Sequence, residues 1–303
     1  MTGRAGNNPP PRSVSPLDPS LQSNPVPRIQ DLPTRLVGPT AAPDAESTFT
    51  TARELRLAHQ PPHDDIFQFI LDLDKHQEDL CVPGRPEDYN RTDEEELALA
   101  DAIRDQSWGF YVFVTDYDPN SQSRLPGALD KLTQCVQLSI QQYTSQGTSL
   151  LVTDEVWKRF RLDVVEDPDR LSGASLDRVR SIFIALVRAR RPDFGDRDIP
   201  LPKGPRNRLC LVLDAETIHS LADLSVPETS SEELVEVYQS LDRPILKALD
   251  AEWGRPQDSD SPYRGWYSTS PVELHYLFQR VGWKGIHQLE LLFEMESSRP
   301  HLR

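Results

Sequence analysis

The chain is expected to fold as an α+β domain, with a small sheet of four or five strands covered by helices. Three observations predict this. In the run Trp108-Gly-Phe-Tyr-Val-Phe-Val-Thr-Asp-Tyr117, six aromatic or β-branched apolar residues and no charge precede Asp116, as a strand buried on both faces requires. Two further strand-like runs, Trp157–Val165 and Leu209–Leu213, are separated by stretches with helical periodicity. The visible strands are few and short. Alternation of the two element types admits a parallel three-layer sheet or a two-layer ferredoxin-like sandwich. The small number of strands favours the sandwich.

Residues 1–55 form the first of three expected segments. They carry prolines at 9, 10, 11, 16, 19, 25, 27, 33, 39 and 43, with apolar residues scattered singly and without period. Such a stretch buries too little surface to offset its ordering entropy, so a disordered tail is expected. Residues 56–106 read as an acidic helical segment. Ile66, Phe67, Phe69, Ile70 and Leu73 predict a helix near 63–75. Thr92-Asp93-Glu94-Glu95 has the form of a capping box for a second. Residues 107–303 hold the sheet.

Within that domain Asp118-Pro119-Asn120 breaks the first strand. A helix is expected over 126–144, because Leu129, Leu132, Val136, Ile140 and Tyr143 share one helical face. Trp157 to Val165 reads as a strand with Phe160, Leu162 and Val164 on a dry face and Arg159, Arg161 and Asp163 on a wet one. Ser175 caps a helix over 176–190 whose buried stripe is Leu176, Val179, Ile182, Phe183, Leu186 and Val187. Pro192 to Pro205 reads as a long surface loop. Asp214 should cap a short helix through Leu221, and Ser230-Ser231-Glu232-Glu233 another to about Leu241. Ile245–Leu249 and Gly265–Thr269 are the remaining candidate strands, and Ser270-Pro271-Val272-Glu273 opens the last helix.

The net charge is −15, and residues 60–107 hold fourteen acids against four bases. Phosphate backbones repel such a chain, so nucleic acid is not an expected partner. The acidic run reads as a solvated helical face. Three cysteines, Cys81, Cys135 and Cys210, lack metal or redox spacing and suit a reducing compartment. No secretory signal is expected, since the N-terminus has no apolar core. The apolar run Ile182–Val187 is too short for a bilayer, so no membrane is expected as a partner either. A cytoplasmic protein is the expectation, with the nucleus open to it as the other reducing compartment.

The segments Trp108–Tyr117, Val164-Val165-Glu166-Asp167-Pro168, Leu171-Ser172-Gly173-Ala174-Ser175 and Leu209–Asp214 occur in this order. Together they resemble a large group of hypothetical proteins of filamentous fungi, over about residues 105–225. These share a W-G-F-type strand, an E-D-P followed by G-A-S and a helix, and an apolar strand ending in Asp. The resemblance implies a fungal intracellular protein and no particular activity. Some such proteins accompany metabolite gene clusters, which would suit an accessory role.

Chemistry could sit where strands end in acids: Asp116, Glu166 with Asp167, and Asp214. Carboxylates gathered on one rim can act as acid and base or bind a divalent cation. Turn and cap chemistry explains the same residues. His275 joins the candidates through its neighbours Tyr276, Trp266 and Glu273, while His219 and His275 both read more simply as helix boundary residues. His59 and His63 are separated by two prolines, which forbids the helical spacing of zinc hydrolases. The stretch 188–208 has seven bases against three acids. Its Arg188, Arg190 and Arg191 could take an anionic ligand, or dock the acidic helices. No phosphate-loop, dinucleotide, serine-elbow or zincin motif is present, and no cofactor or metal is expected. The leading expectation is an intracellular binding or accessory protein for a protein or small-molecule partner. The alternative is a cofactor-independent enzyme that uses the rim carboxylates on a small molecule, for example in fungal secondary metabolism.

Overall fold

The computed structural model describes residues 29, 32–41, 49–59, 66–71, 73, 107–190, 204–226, 241–243, 245–251, 253 and 263–284. Its centre is β2 (Trp108–Val114), every residue of which is buried. β3 (Phe160–Val165) and β4 (Leu209–Leu213) flank it, both parallel to it. β1 (Thr34–Val37) pairs antiparallel with β3 at one edge. β5 (Leu246–Asp250) pairs antiparallel with β4, and β6 (Trp266–Thr269) with β5. The sheet is therefore six-stranded, in the order β1-β3-β2-β4-β5-β6.

Apolar side chains line both faces, which explains why β2 has no wet positions. Trp108, Phe110, Val112 and Val114 belong to one buried cluster, and Tyr111 and Phe113 to the other. The first cluster is closed by a long helix, Pro119–Ser145, by Leu150–Lys158, by Ala215–Ala222 after β4, and by Leu274–Lys284 after β6. The second is closed mainly by the helix Leu176–Arg190. Gly109, at φ +129°, is required here: a Cβ would stand 1.9 Å from the Arg161 carbonyl oxygen.

The broad α+β expectation holds. The finer one needs correction: six strands replace four or five, and helices on both faces replace the two-layer ferredoxin-like arrangement. The chain leaves β2 towards one face and β3 towards the other, so the sheet is covered twice. Asp163, expected on a wet face, is 3% exposed and pairs with Arg161 and Arg206 under the second layer.

Other differences have local causes. Thr34–Val37 lies within the stretch expected to be disordered, yet the free edge of β3 gives its backbone a partner and Leu32 is buried beside it. Four residues of a strand leave too little periodicity to read. Ile66, Phe67, Phe69 and Ile70 enter the same cluster as the sheet. Phe69 meets Trp108 edge-on at 5.4 Å and Phe278 at 5.9 Å, so the core continues across the expected boundary at 106. The helix near 63–75 is seen over 66–71 and at 73. The long helix starts at Pro119 rather than 126, because Asp118 caps it through the Asn120 amide. Pro126 removes one backbone bond inside it, which burial of Leu125, Ala128 and Leu129 offsets. Trp157 lies in the last turn of the helix Leu150–Lys158 rather than starting β3. The Thr92 and Ser230 capping boxes and the loop 192–203 lie outside the described residues.

Arg159 follows that helix with its side chain fully buried. It pairs with Glu155 at 3.1 Å, donates to the Thr50 carbonyl at 2.7 Å and lies 5.3 Å from the Phe49 ring centre. The chain at 49–50 is thereby tied to the first layer.

Candidate functional site

β2, β3 and β4 run in parallel, so Asp116, Glu166, Asp167 and Asp214 follow their carboxyl ends on one rim. In open α/β sheets, ligands bind at this rim where neighbouring strands send the chain to opposite faces. β2 and β3 meet that condition. Here Tyr117 closes the crevice between them. Its ring packs against both hydrophobic clusters. Its hydroxyl accepts from the Asp167 amide at 2.7 Å, and the Gly173 amide donates to the Thr115 carbonyl at 2.8 Å. Burial raises the Tyr117 hydroxyl to about 12. The Glu166 and Asp167 charges add to that shift, and the Asp167 amide opposes it.

Each rim acid has a partner. Arg35 of β1 donates to Glu166 Oε1 through Nε at 3.0 Å and Nη2 at 2.8 Å. Asp167 caps the short helix Pro168–Leu171 through the Arg170 amide at 3.1 Å. Asp214 Oδ1 caps Ala215–Ala222 by accepting from the Thr217 amide at 3.0 Å and hydroxyl at 2.8 Å, while Oδ2 pairs with Lys247 of β5. Burial pushes the Asp214 carboxyl upward. The Lys247 bond and the Thr217 donors outweigh it, so the group sits below the usual carboxylate range. Asp116 accepts from the Asp118 amide at 3.3 Å and from the Ser121 hydroxyl at 2.5 Å.

Ser121 also lies 3.1 Å from His219 Nε2. Hydrogen counting sets the direction of this chain. Ser121 has one hydroxyl proton and directs it at the acceptor-only carboxylate. Nε2 must then carry the hydrogen that meets the hydroxyl oxygen, and in the neutral imidazole the lone pair is on Nδ1. Ser121 is 1% exposed, whereas His219 is partly exposed. One turn further along both helices, Arg124 pairs with Asp223 at 2.9 Å.

His275 is not part of the rim. It is 4% exposed on Leu274–Lys284 and meets the other end of the long helix. The Tyr143 hydroxyl lies 2.9 Å from its Nε2, and Ser139 Oγ lies 3.2 Å from its Nδ1. Ser139 donates to the Val136 carbonyl, so its oxygen is free to accept. Both ring nitrogens are satisfied by a neutral, Nδ1-protonated imidazole. Burial lowers His275 to about 4, against a hydrogen bond to the Val272 backbone. Eighteen helical residues, about 27 Å, separate Ser139 from Ser121.

Arg188 is partly buried near the end of its helix, Arg190 ends that helix, and Arg191 lies outside the described residues. From the same basic stretch, Arg206 pairs with Asp163 and lies 5.5 Å from the Tyr111 ring centre. Trp108 and Tyr117 stand at opposite ends of β2 and Trp266 on the far edge strand, so they do not line a common space. Cys135 and Cys210 are buried free thiols, both pushed up by burial, Cys135 to about 12.

The residues that sequence reasoning missed are Arg35, Ser121 and Lys247, together with any role for His219 beyond a helix boundary. Ser121 three residues after a capping Asp was the only legible signal. No family model, curated protein or solved structure matches the chain. Among the described residues no group of three His, Cys, Asp or Glu is placed to hold a metal ion, and no helix is long and apolar enough to cross a membrane.

Proposed function

We propose that this is a cytoplasmic binding or accessory protein that recognises a small molecule or protein partner at the carboxyl rim of its parallel strands. One observation carries the reading. Asp116, Glu166, Asp167 and Asp214 are each held in a cap, turn or ion pair, as recognition groups of fixed direction rather than as a facing acid and base. Tyr117 fills the crevice where a buried substrate would sit. The resemblance to fungal proteins extends the proposal to an accessory role in metabolism. A thermal-shift screen of small metabolites tests it, with mass spectrometry of each hit. A ligand that raises Tm, loses that effect in an Asp116→Asn/Asp214→Asn variant and is recovered unchanged supports the reading. A ligand that is consumed overturns it.

A second reading, a cofactor-independent enzyme, is favoured by a specific observation. The partly exposed His219 stands on that rim, joined through Ser121 to Asp116.

A further inference from the structure

We propose that His219 is a general base that activates water against small anionic esters. The inference rests on the enzyme reading of the rim. Three features support it. The hydrogen count at Ser121 leaves the lone pair of a neutral His219 on Nδ1. Asp116, one hydroxyl away, stabilises the imidazolium that forms when Nδ1 takes a proton. Arg124 supplies a cation one turn along the same seam. Its pair with Asp223 has side chains 39% and 69% exposed, and exposed pairs contribute little. A carboxylate on a ligand can therefore displace Asp223 at little cost.

The step is balanced with water as the only co-reactant. Water gives one proton to Nδ1, and its oxygen bonds to the ester carbonyl carbon. The carbon–alkoxy bond breaks, and the alcohol leaves with the proton returned from Nδ1. Throughout, Nε2–H donates to Ser121 and Ser121 donates to Asp116, so neither changes its protonation. His219 is the catalytic residue. Ser121 and Asp116 are positioning residues.

The test uses the full chain with two probes, neutral p-nitrophenyl acetate and anionic mono-p-nitrophenyl succinate. The parent should hydrolyse both above the buffer rate and prefer the anionic ester. His219→Gln should lose about 100-fold of the enzymatic rate. Asp116→Asn should move the rise of rate to lower pH, and Arg124→Gln should remove the preference for the anionic ester. Thermal unfolding checks that each variant folds. If His219→Gln does not fold, the parent is modified with diethyl pyrocarbonate, and its rate should fall in step with carbethoxylation of His219. A His219→Gln protein, or a parent fully modified at His219, that is as fast as the untreated parent overturns the assignment while leaving the enzyme reading in place. A parent no faster than buffer overturns both.

Discussion

His219 and His275 meet the same helix at opposite ends, and each is bonded to a serine of that helix. At the His275 end both ring nitrogens and both partner hydroxyls are satisfied, and the imidazole is buried and neutral. That arrangement fastens Leu274–Lys284 to the long helix, and no atom of the imidazole remains for a ligand. At the His219 end only Nε2 is engaged by the described residues, and the side chain is partly exposed. The difference shows that the accounting of hydrogens and burial separates a clip from a candidate site. Residue type alone does not.

The largest effect that can break this comparison is truncation of the buried member. His275→Ala should cost about 3–5 kcal/mol in urea unfolding, from the cavity plus the lost hydrogen bonds to Tyr143 and Ser139. A loss under about 1 kcal/mol would mean that His275 is no clip. Acid comes next. The folded His275 sits at about 4, below its ordinary 6.5, so the unfolded chain binds the proton more readily. Its contribution is fully present above pH 6.5 and is lost as pH falls towards 4, by about 3 kcal/mol. Unfolding free energies of parent and His275→Ala, measured between pH 7 and 4, should differ by this trend. Parallel curves would contradict it.

Tyr143→Phe sharpens the contrast by removing only the donor to Nε2, with an expected loss of about 1–2 kcal/mol. His219→Gln should be the mildest, under about 1 kcal/mol in the same urea assay, because the lost contact is partly exposed. Should it cost as much as His275→Ala, the two ends would be equivalent clips and the case for a site at the rim would weaken.

Local pattern made much of the fold legible. Trp108–Val114, Leu209–Leu213 and the helix over 176–190 appear where their periodicity placed them. Asp214 caps its helix as read, and the prolines at 119 and 271 open theirs. The acids at the strand ends were visible as candidates. Their shared rim was not, since it requires the strands to be parallel. Asp163 was read as wet because alternation reports only which residues share a face, and Arg159 because the end of the helix Leu150–Lys158 that it follows was read as strand. Whether that face is covered depends on a helix elsewhere in the chain.

The sequence by itself determined which runs become strands and helices and where caps begin them, since side-chain period and backbone capping act within a few residues. The tertiary structure alone decided the strand order, the second helical layer, the edge strand at 34–37 and the Asp116–Ser121–His219 chain. The Ser121–His219 contact spans 98 residues and the Arg35–Glu166 pair 131. Contacts of that reach follow from how the chain crosses the sheet, and no local period records the crossing.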